Sequence, residues 1–215
     1  MYATLREPLK VMRQKQYLSR IKEGLSKVFG ESSDTYWELI DLLNAVAETH
    51  DRGKRRDGSL LKSHEFQMFA LAFFYLKIRD VAILKAIILH DMNEDYPEVW
   101  SLELIAERHG AEVRNIVNAL TKPNKALFAS EQEYDQAVFA KVRSGGSKSM
   151  IAKTIDRFHN MVTLYGGREK QVKKVLQTIK YVLPIAADSE TLVQELVAAV
   201  HFQMRELNIK PAPPL

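Results

Sequence analysis

The chain has 215 residues, 46% of them hydrophobic, with 9 Gly, 7 Pro, no Cys and a formal net charge of +4. That length suits one domain with a continuous apolar core and is short for two, and the composition carries no disordered or fibrous bias. The missing cysteines exclude disulfides, thiolate catalysis and sulfur-held zinc, so a metal would need His, Asp and Glu ligands, while the modest positive charge favours anionic partners without choosing between polyphosphate nucleotides and nucleic acid.

In chain order the pattern is helical almost throughout. Leu9, Met12, Tyr17, Ile21, Leu25 and Val28 recur at three-to-four-residue steps and predict one amphipathic helix ending near Gly30. Charged and apolar positions alternate there, where a signal peptide would have an apolar block. No run approaches the ~20 apolar residues of a membrane span, so a cytoplasmic protein without membrane association is expected. Ser32, Ser33 and Asp34 offer caps for a second helix whose Trp37, Ile40, Leu43, Val46 and Ala47 would face the core. A polar stretch runs from His50 to Ser63. Helices are predicted over 64–78, 79–93, 101–109 and 111–121, with breaks at Tyr96-Pro97 and His109-Gly110. Between Lys122 and Ser149 the polar sequence, with Pro123, Asn124, Gly145 and Gly146, predicts loops around a short helix near 131–143, in the manner of a flap over a site. Helices near 148–163, 167–183 and 189–206 follow, and Pro211, Pro213 and Pro214 mark a frayed tail. The aromatic run Phe66, Phe69, Phe73, Phe74 and Tyr75 reads as core.

The strongest chemical signal is His90-Asp91-Met92-Asn93-Glu94-Asp95, at the end of the apolar segment 81–89. Placing an imidazole and a carboxylate at the end of a buried helix is costly unless something pairs with the charge, and a divalent cation does so. Glu94 and Asp95 follow one turn later, within reach of a water on that ion. His64 opens another apolar helix behind the basic stretch Arg52 to Gly58. In the segment 153–163, Asp156, Asn160 and Thr163 share one helix face, above a stripe of Ile151, Ile155, Phe158 and Val162. Each of these alone also reads as a structural feature: an ordinary polar helix start, or a salt-bridged surface.

Taken in order, His64, His90-Asp91 and Asp156 resemble the metal set of the HD superfamily, and the surrounding residues resemble the hydrolase domain of RelA/SpoT proteins. The family's His-Asp-x-x-Glu-Asp is met by His90 to Asp95, and its Lys-x-x-Asp-Arg-x-x-Asn-x-x-Thr by Lys153, Asp156, Arg157, Asn160 and Thr163. His50 to Gly58 runs in register with its His-x-Gly-Gln-x-Arg-Lys-x-Gly, and Tyr181 to Ala186 is similar to its closing Tyr-x-Pro-Leu-Ala. The chain departs from the pattern at Gly53, Asp57, Leu60, Leu61 and Glu65, which bears on recognition of base and ribose.

The resemblance implies an all-α HD-domain helical bundle, as a single domain over 1–215. A family-like core covers about 40–188, with N-terminal helices (5–50) and a C-terminal helix (189–206) packed on it, and no room for a synthetase domain. It implies Mn2+ or another divalent transition metal on His64, His90, Asp91 and Asp156. Glu94 and Asp95 would be catalytic, and Arg55, Arg56, Lys153, Asn160 and Thr163 would contact substrate. The implied activity is hydrolysis of the 3′-pyrophosphate of guanosine tetra- or pentaphosphate, an alarmone of the stringent response, to GDP or GTP plus pyrophosphate. A broader nucleotide phosphohydrolase, such as an NADPH 2′-phosphatase, and a non-catalytic nucleotide-binding module stay open as alternatives. Nucleic acid is not expected as a partner, since the basic residues are spread over all helices. The oligomeric state stays open, a homo-oligomer included.

Overall fold

The computed structural model describes residues 3–13, 17–50 and 62–209. Among these there is no strand: the helices are α1 (Arg6–Met12), α2 (Tyr17–Phe29), α3 (Asp34–Thr49), α4 (Lys62–Ala70), α5 (Val81–Leu89), α6 (Met92–Asp95), α7 (Leu102–His109), α8 (Ala111–Leu120), α9 (Glu131–Ser144), α10 (Ser147–Val162), α11 (Arg168–Gln177), α12 (Leu183–Asp188) and α13 (Val193–Glu206). No helix among the described residues is long and apolar enough to cross a membrane.

Helix α5 is the hub. Apolar on every side, it can only be stable when surrounded, and α3, α4, α8 and α10 pack around it. Its one charged residue, Lys85, is buried but reaches Glu38 of α3 at 2.6 Å, so the ammonium keeps a counter-charge. Asp80 caps the start of α5 by accepting the Ile83 N–H at 3.0 Å. Helix α10 is the second central element and touches α4, α5, α8, α9, α12 and α13. Its Ile155, Phe158 and Met161 are fully buried, each contributing on the order of 1.5–3 kcal/mol by leaving water. Gly110, at φ +92° in the left-handed region, makes the turn from α7 into α8.

Several expectations hold and several are corrected. Ser33 caps α3 by accepting the Tyr36 N–H at 3.1 Å, and Phe66, Phe69 and Phe73 are core residues. The first thirty residues form two helices, α1 and α2, where one was expected; residues 14–16 lie outside the described residues. Val28 is 43% exposed, because Phe29 continues the stripe instead, with its ring centroid 6.3 Å from that of Phe73. Trp37 is 52% exposed. The buried face of α3 is Tyr36, Leu39, Ile40, Leu42, Leu43 and Val46, and Trp37 sits on its flank, one turn before the exposed Asp41. In the polar region 122–149 the short helix expected near 131–143 is present as α9, but it buries Val138, Phe139 and Val142 and packs on α8 and α10, so the expected flap does not form. Two helices expected to be continuous are interrupted. A π turn at Leu71–Tyr75 ends the run from α4, with Leu76 N–H donating to Leu71 O, and a second, Thr178–Val182, separates α11 from α12, where Pro184 sits in the first turn.

Candidate metal centre

Four donor side chains converge from three places in the chain. His64 lies in the first turn of α4, His90 and Asp91 lie between α5 and α6, and Asp156 lies midway along α10. His64 Nε2 is 3.2 Å from His90 Nε2 and 3.5 Å from Asp156 Oδ1. Asp91 Oδ2 is 3.2 Å from His90 Nε2 and 3.9 Å from His64 Nε2, and His90 Nε2 is 4.0 Å from Asp156 Oδ1. Ligands on adjacent vertices of an octahedral ion, at metal–ligand distances of about 2.0–2.2 Å, stand about 3 Å apart. Three of the observed separations, 3.2, 3.2 and 3.5 Å, are close to that, and the other two, 3.9 and 4.0 Å, are longer. His64, His90 and Asp156 are buried and form a group able to hold a metal ion, and Asp91 is the more open of the four.

The end of α5 prepares His90 for this role. The last turn of a helix leaves carbonyls without partners, and His90 Nδ1 lies 2.8 Å from Ile87 O. That contact places the ring proton on Nδ1 and turns the Nε2 lone pair to the cluster. Without an ion the carboxylates take over as counter-charges. Burial would lower the His90 pKa, but the Asp91 carboxylate, followed by Asp156 and Glu65, more than offsets it and pushes the pKa up to about 9. Burial also works against ionisation of Asp156, yet the Lys153 ammonium and the two histidines hold it well below the usual carboxylate range, and His90 does the same for Asp91. Two ionised carboxylates and two imidazoles in a buried site suit a hard-to-borderline divalent cation.

The remaining predicted residues surround this cluster. Glu94 is held by Lys122, whose backbone N–H and Nζ each donate to one carboxylate oxygen at 2.6 Å. Asp95 is exposed at the rim, but desolvation on the side of its carboxyl that faces the protein, and then the Asp91 and Glu94 carboxylates, raise its pKa. Asn93 ties α6 in place, donating to Trp100 O at 3.0 Å. On α10, Lys153 Nζ is 2.9 Å from Asp156 Oδ2, Asn160 Nδ2 donates to Asp156 Oδ1, and Thr163 Oγ1 donates to His159 O at 2.8 Å. All three side chains thus already hold partners on α10. Arg55 and Arg56, with the basic stretch around them, lie outside the described residues.

Sequence reasoning assigned no role to His159, Gln67 or Lys122, all of which touch this site. Glu65, a departure from the family pattern, is buried with Oε1 3.5 Å from His50 Nε2. His50 Nδ1 is in turn 3.2 Å from the Tyr96 hydroxyl.

Behind Asp156 the surroundings are cationic. Arg157 is buried and donates to Lys174 O at 3.3 Å and Thr178 Oγ1 at 3.1 Å. Burial and then Arg157 push the Lys174 pKa down to about 8. A lysine that binds its proton more weakly folded than unfolded destabilises the fold fully below pH 8, and the penalty fades as pH rises from about 8 toward 10.5. Lys174→Met is therefore expected to stabilise the protein by roughly 1–2 kcal/mol at pH 7 and by little at pH 10. Urea melts at the two pH values check this, and equal gains at both would refute it.

No family model matches the chain. It is 28% identical over 167 residues to guanosine-3′,5′-bis(diphosphate) 3′-pyrophosphohydrolase of Aquifex aeolicus, covering 77% of this chain and 23% of that protein. It is 28% identical over 146 residues to the protein of the same name, MESH1, from Xenopus tropicalis, covering 65% of this chain and 79% of that one. The chain spans less than a quarter of the length of the bacterial relatives it matches first. Among solved structures, a metazoan orthologue of SpoT, described as hydrolysing ppGpp and acting in starvation responses, superimposes with a TM-score of 0.66 at 20% identity, over 79% of this chain and 96% of that one. The fold is therefore the all-α HD type.

Proposed function

We propose, for a chain with the fold of a metazoan SpoT orthologue and sequence similarity to pyrophosphohydrolases of that kind, that it hydrolyses the 3′-pyrophosphate of guanosine tetra- or pentaphosphate. One observation carries the reading: His64, His90 and Asp156, drawn from distant parts of the chain, bring their donor atoms together in a buried group, with Asp91 beside them.

These four residues would hold a divalent ion, Mn2+ in our reading, which when bound supplies Lewis-acid polarisation of the phosphoryl group and acidifies a water. Glu94, one turn from the cluster, orients the attacking water and accepts its proton. The water oxygen bonds to the phosphorus on the ribose 3′ oxygen, and the bond from phosphorus to that oxygen breaks. Asp95, at the open rim, helps return a proton to the departing 3′ oxygen, a poor leaving group as an alkoxide. The products are GDP or GTP and pyrophosphate. Lys122, anchored on Glu94, supplies positive charge where pyrophosphate leaves, and Lys153, Arg55, Arg56, Asn160 and Thr163 contact the nucleotide.

Incubation with guanosine 3′,5′-bis(diphosphate) and Mn2+, followed by chromatography of the nucleotides, is expected to give GDP and pyrophosphate in equal amounts. Orthophosphate as the product, or no turnover of this nucleotide while NADPH is dephosphorylated, would replace the proposal with a broader phosphatase.

A further inference from the structure

His159 is buried behind the cluster, between His64 and Gln67. His64 Nδ1 lies 2.9 Å from His159 Nδ1, and His159 Nε2 lies 2.6 Å from Gln67 Oε1. Two ring nitrogens at that distance require one proton between them. The proton has two possible homes, and they have opposite consequences. If His159 Nδ1 carried it, a neutral His64 would be protonated on Nε2, the atom that faces His90 and Asp156, and that nitrogen would have no lone pair to give a cation. If His64 Nδ1 carries it, Nε2 is a free donor.

Gln67 decides between them. Its carbonyl oxygen can only accept, so His159 carries its proton on Nε2 and, as a neutral ring, has an accepting Nδ1. We infer that Gln67 and His159 form a hydrogen-bond relay that fixes His64 in its metal-ready form, the Nε2 lone pair toward the cluster. The geometry matches what the Ile87 carbonyl does for His90, so each histidine of the site has its back nitrogen committed. Position supports it: His159 lies one turn after Asp156 on α10, and Gln67 lies one turn after His64 on α4. The relay therefore ties the two ligand-bearing helices together directly behind the site. This inference rests on the metal reading of the cluster and is independent of the substrate.

The test is Mn2+ affinity of the full chain, measured by titration for the parent, His159→Leu, His159→Asn and Gln67→Leu. Leucine fills the space but accepts nothing, and its affinity is expected to fall about 10–100-fold, as for loss of other groups that orient a ligand. Asparagine places an amide oxygen near the former Nδ1 position, so it should recover affinity to within a few-fold of the parent. Gln67→Leu removes the acceptor that holds the His159 proton on Nε2, and a smaller loss, several-fold, is expected; it also reads out the relay should His159→Leu not fold. Parent protein that binds no Mn2+ would end the metal reading itself. Parent binding matched by both leucine variants, or an asparagine variant as weak as His159→Leu, would overturn the relay alone.

Discussion

His90→Ala is expected to lose its divalent ion and its turnover together. His90 gives the cluster an Nε2 that stands 3.2 Å from both His64 Nε2 and Asp91 Oδ2, and no neighbouring side chain can take its position, since the ring sits at the end of the buried α5. Loss of an outer partner costs a metal site about 10–100-fold in affinity, so loss of a direct donor should cost more. With the Lewis acid gone, several kcal/mol of barrier lowering go with it, on the order of a thousandfold in rate. The fold should survive, because α5 keeps its apolar contacts. Metal content per chain after gel filtration, read beside turnover and a helical circular-dichroism spectrum, tests this. A variant that retains stoichiometric metal and parental turnover would remove His90 from the site.

Glu94→Gln should separate what His90→Ala removes together. The amide keeps the size of the side chain and can still accept the Lys122 N–H, so the turn after Asp91 should hold its shape. It cannot accept a proton from water. A positioned general base contributes about 10²–10⁴-fold, and kcat should fall within that range while Mn2+ affinity stays near the parent's. Unchanged kcat would assign the base elsewhere, with Asp95 the next residue to substitute. A fall in metal affinity equal to that of His90→Ala would make Glu94 a ligand.

Much of this site was legible in the sequence because helix periodicity is local. The apolar run 81–89 ending in His90-Asp91 already requires a charge partner at the end of a buried helix, and the spacing of Asp156, Asn160 and Thr163 already puts them on one face. What periodicity cannot supply is the partner across the core. His159 is separated from His64 by 95 positions, and the two meet only because α4 and α10 pack against each other. Lys122 and Glu94, 28 positions apart, likewise meet only when α8 delivers its end to α6. The errors have the same origin. Gly145, Gly146 and Pro123 are real breaks and the helix expected near 131–143 is present as α9, but its polar surroundings suggested a flap because the burial of Val138, Phe139 and Val142 against α8 and α10 is not visible in local composition. Trp37 was assigned to the core by its three-residue spacing from Ile40, although its helical phase lies nearer that of the exposed Asp41.

Helix α10 carries Ile155, Phe158 and Met161 into the core and Asp156 and His159 to the histidine–aspartate cluster from the same few turns. Packing and chemistry therefore have no separate tolerances there. A repacked interior that rolled this rod by a small angle would leave the protein folded but mis-set both the carboxylate and the ring that orients His64. Variants that stay folded but lose activity should therefore concentrate on the apolar side of α10, and evolutionary drift in core volume should be accommodated in α2, α11 and α13, which bear none of the four donors.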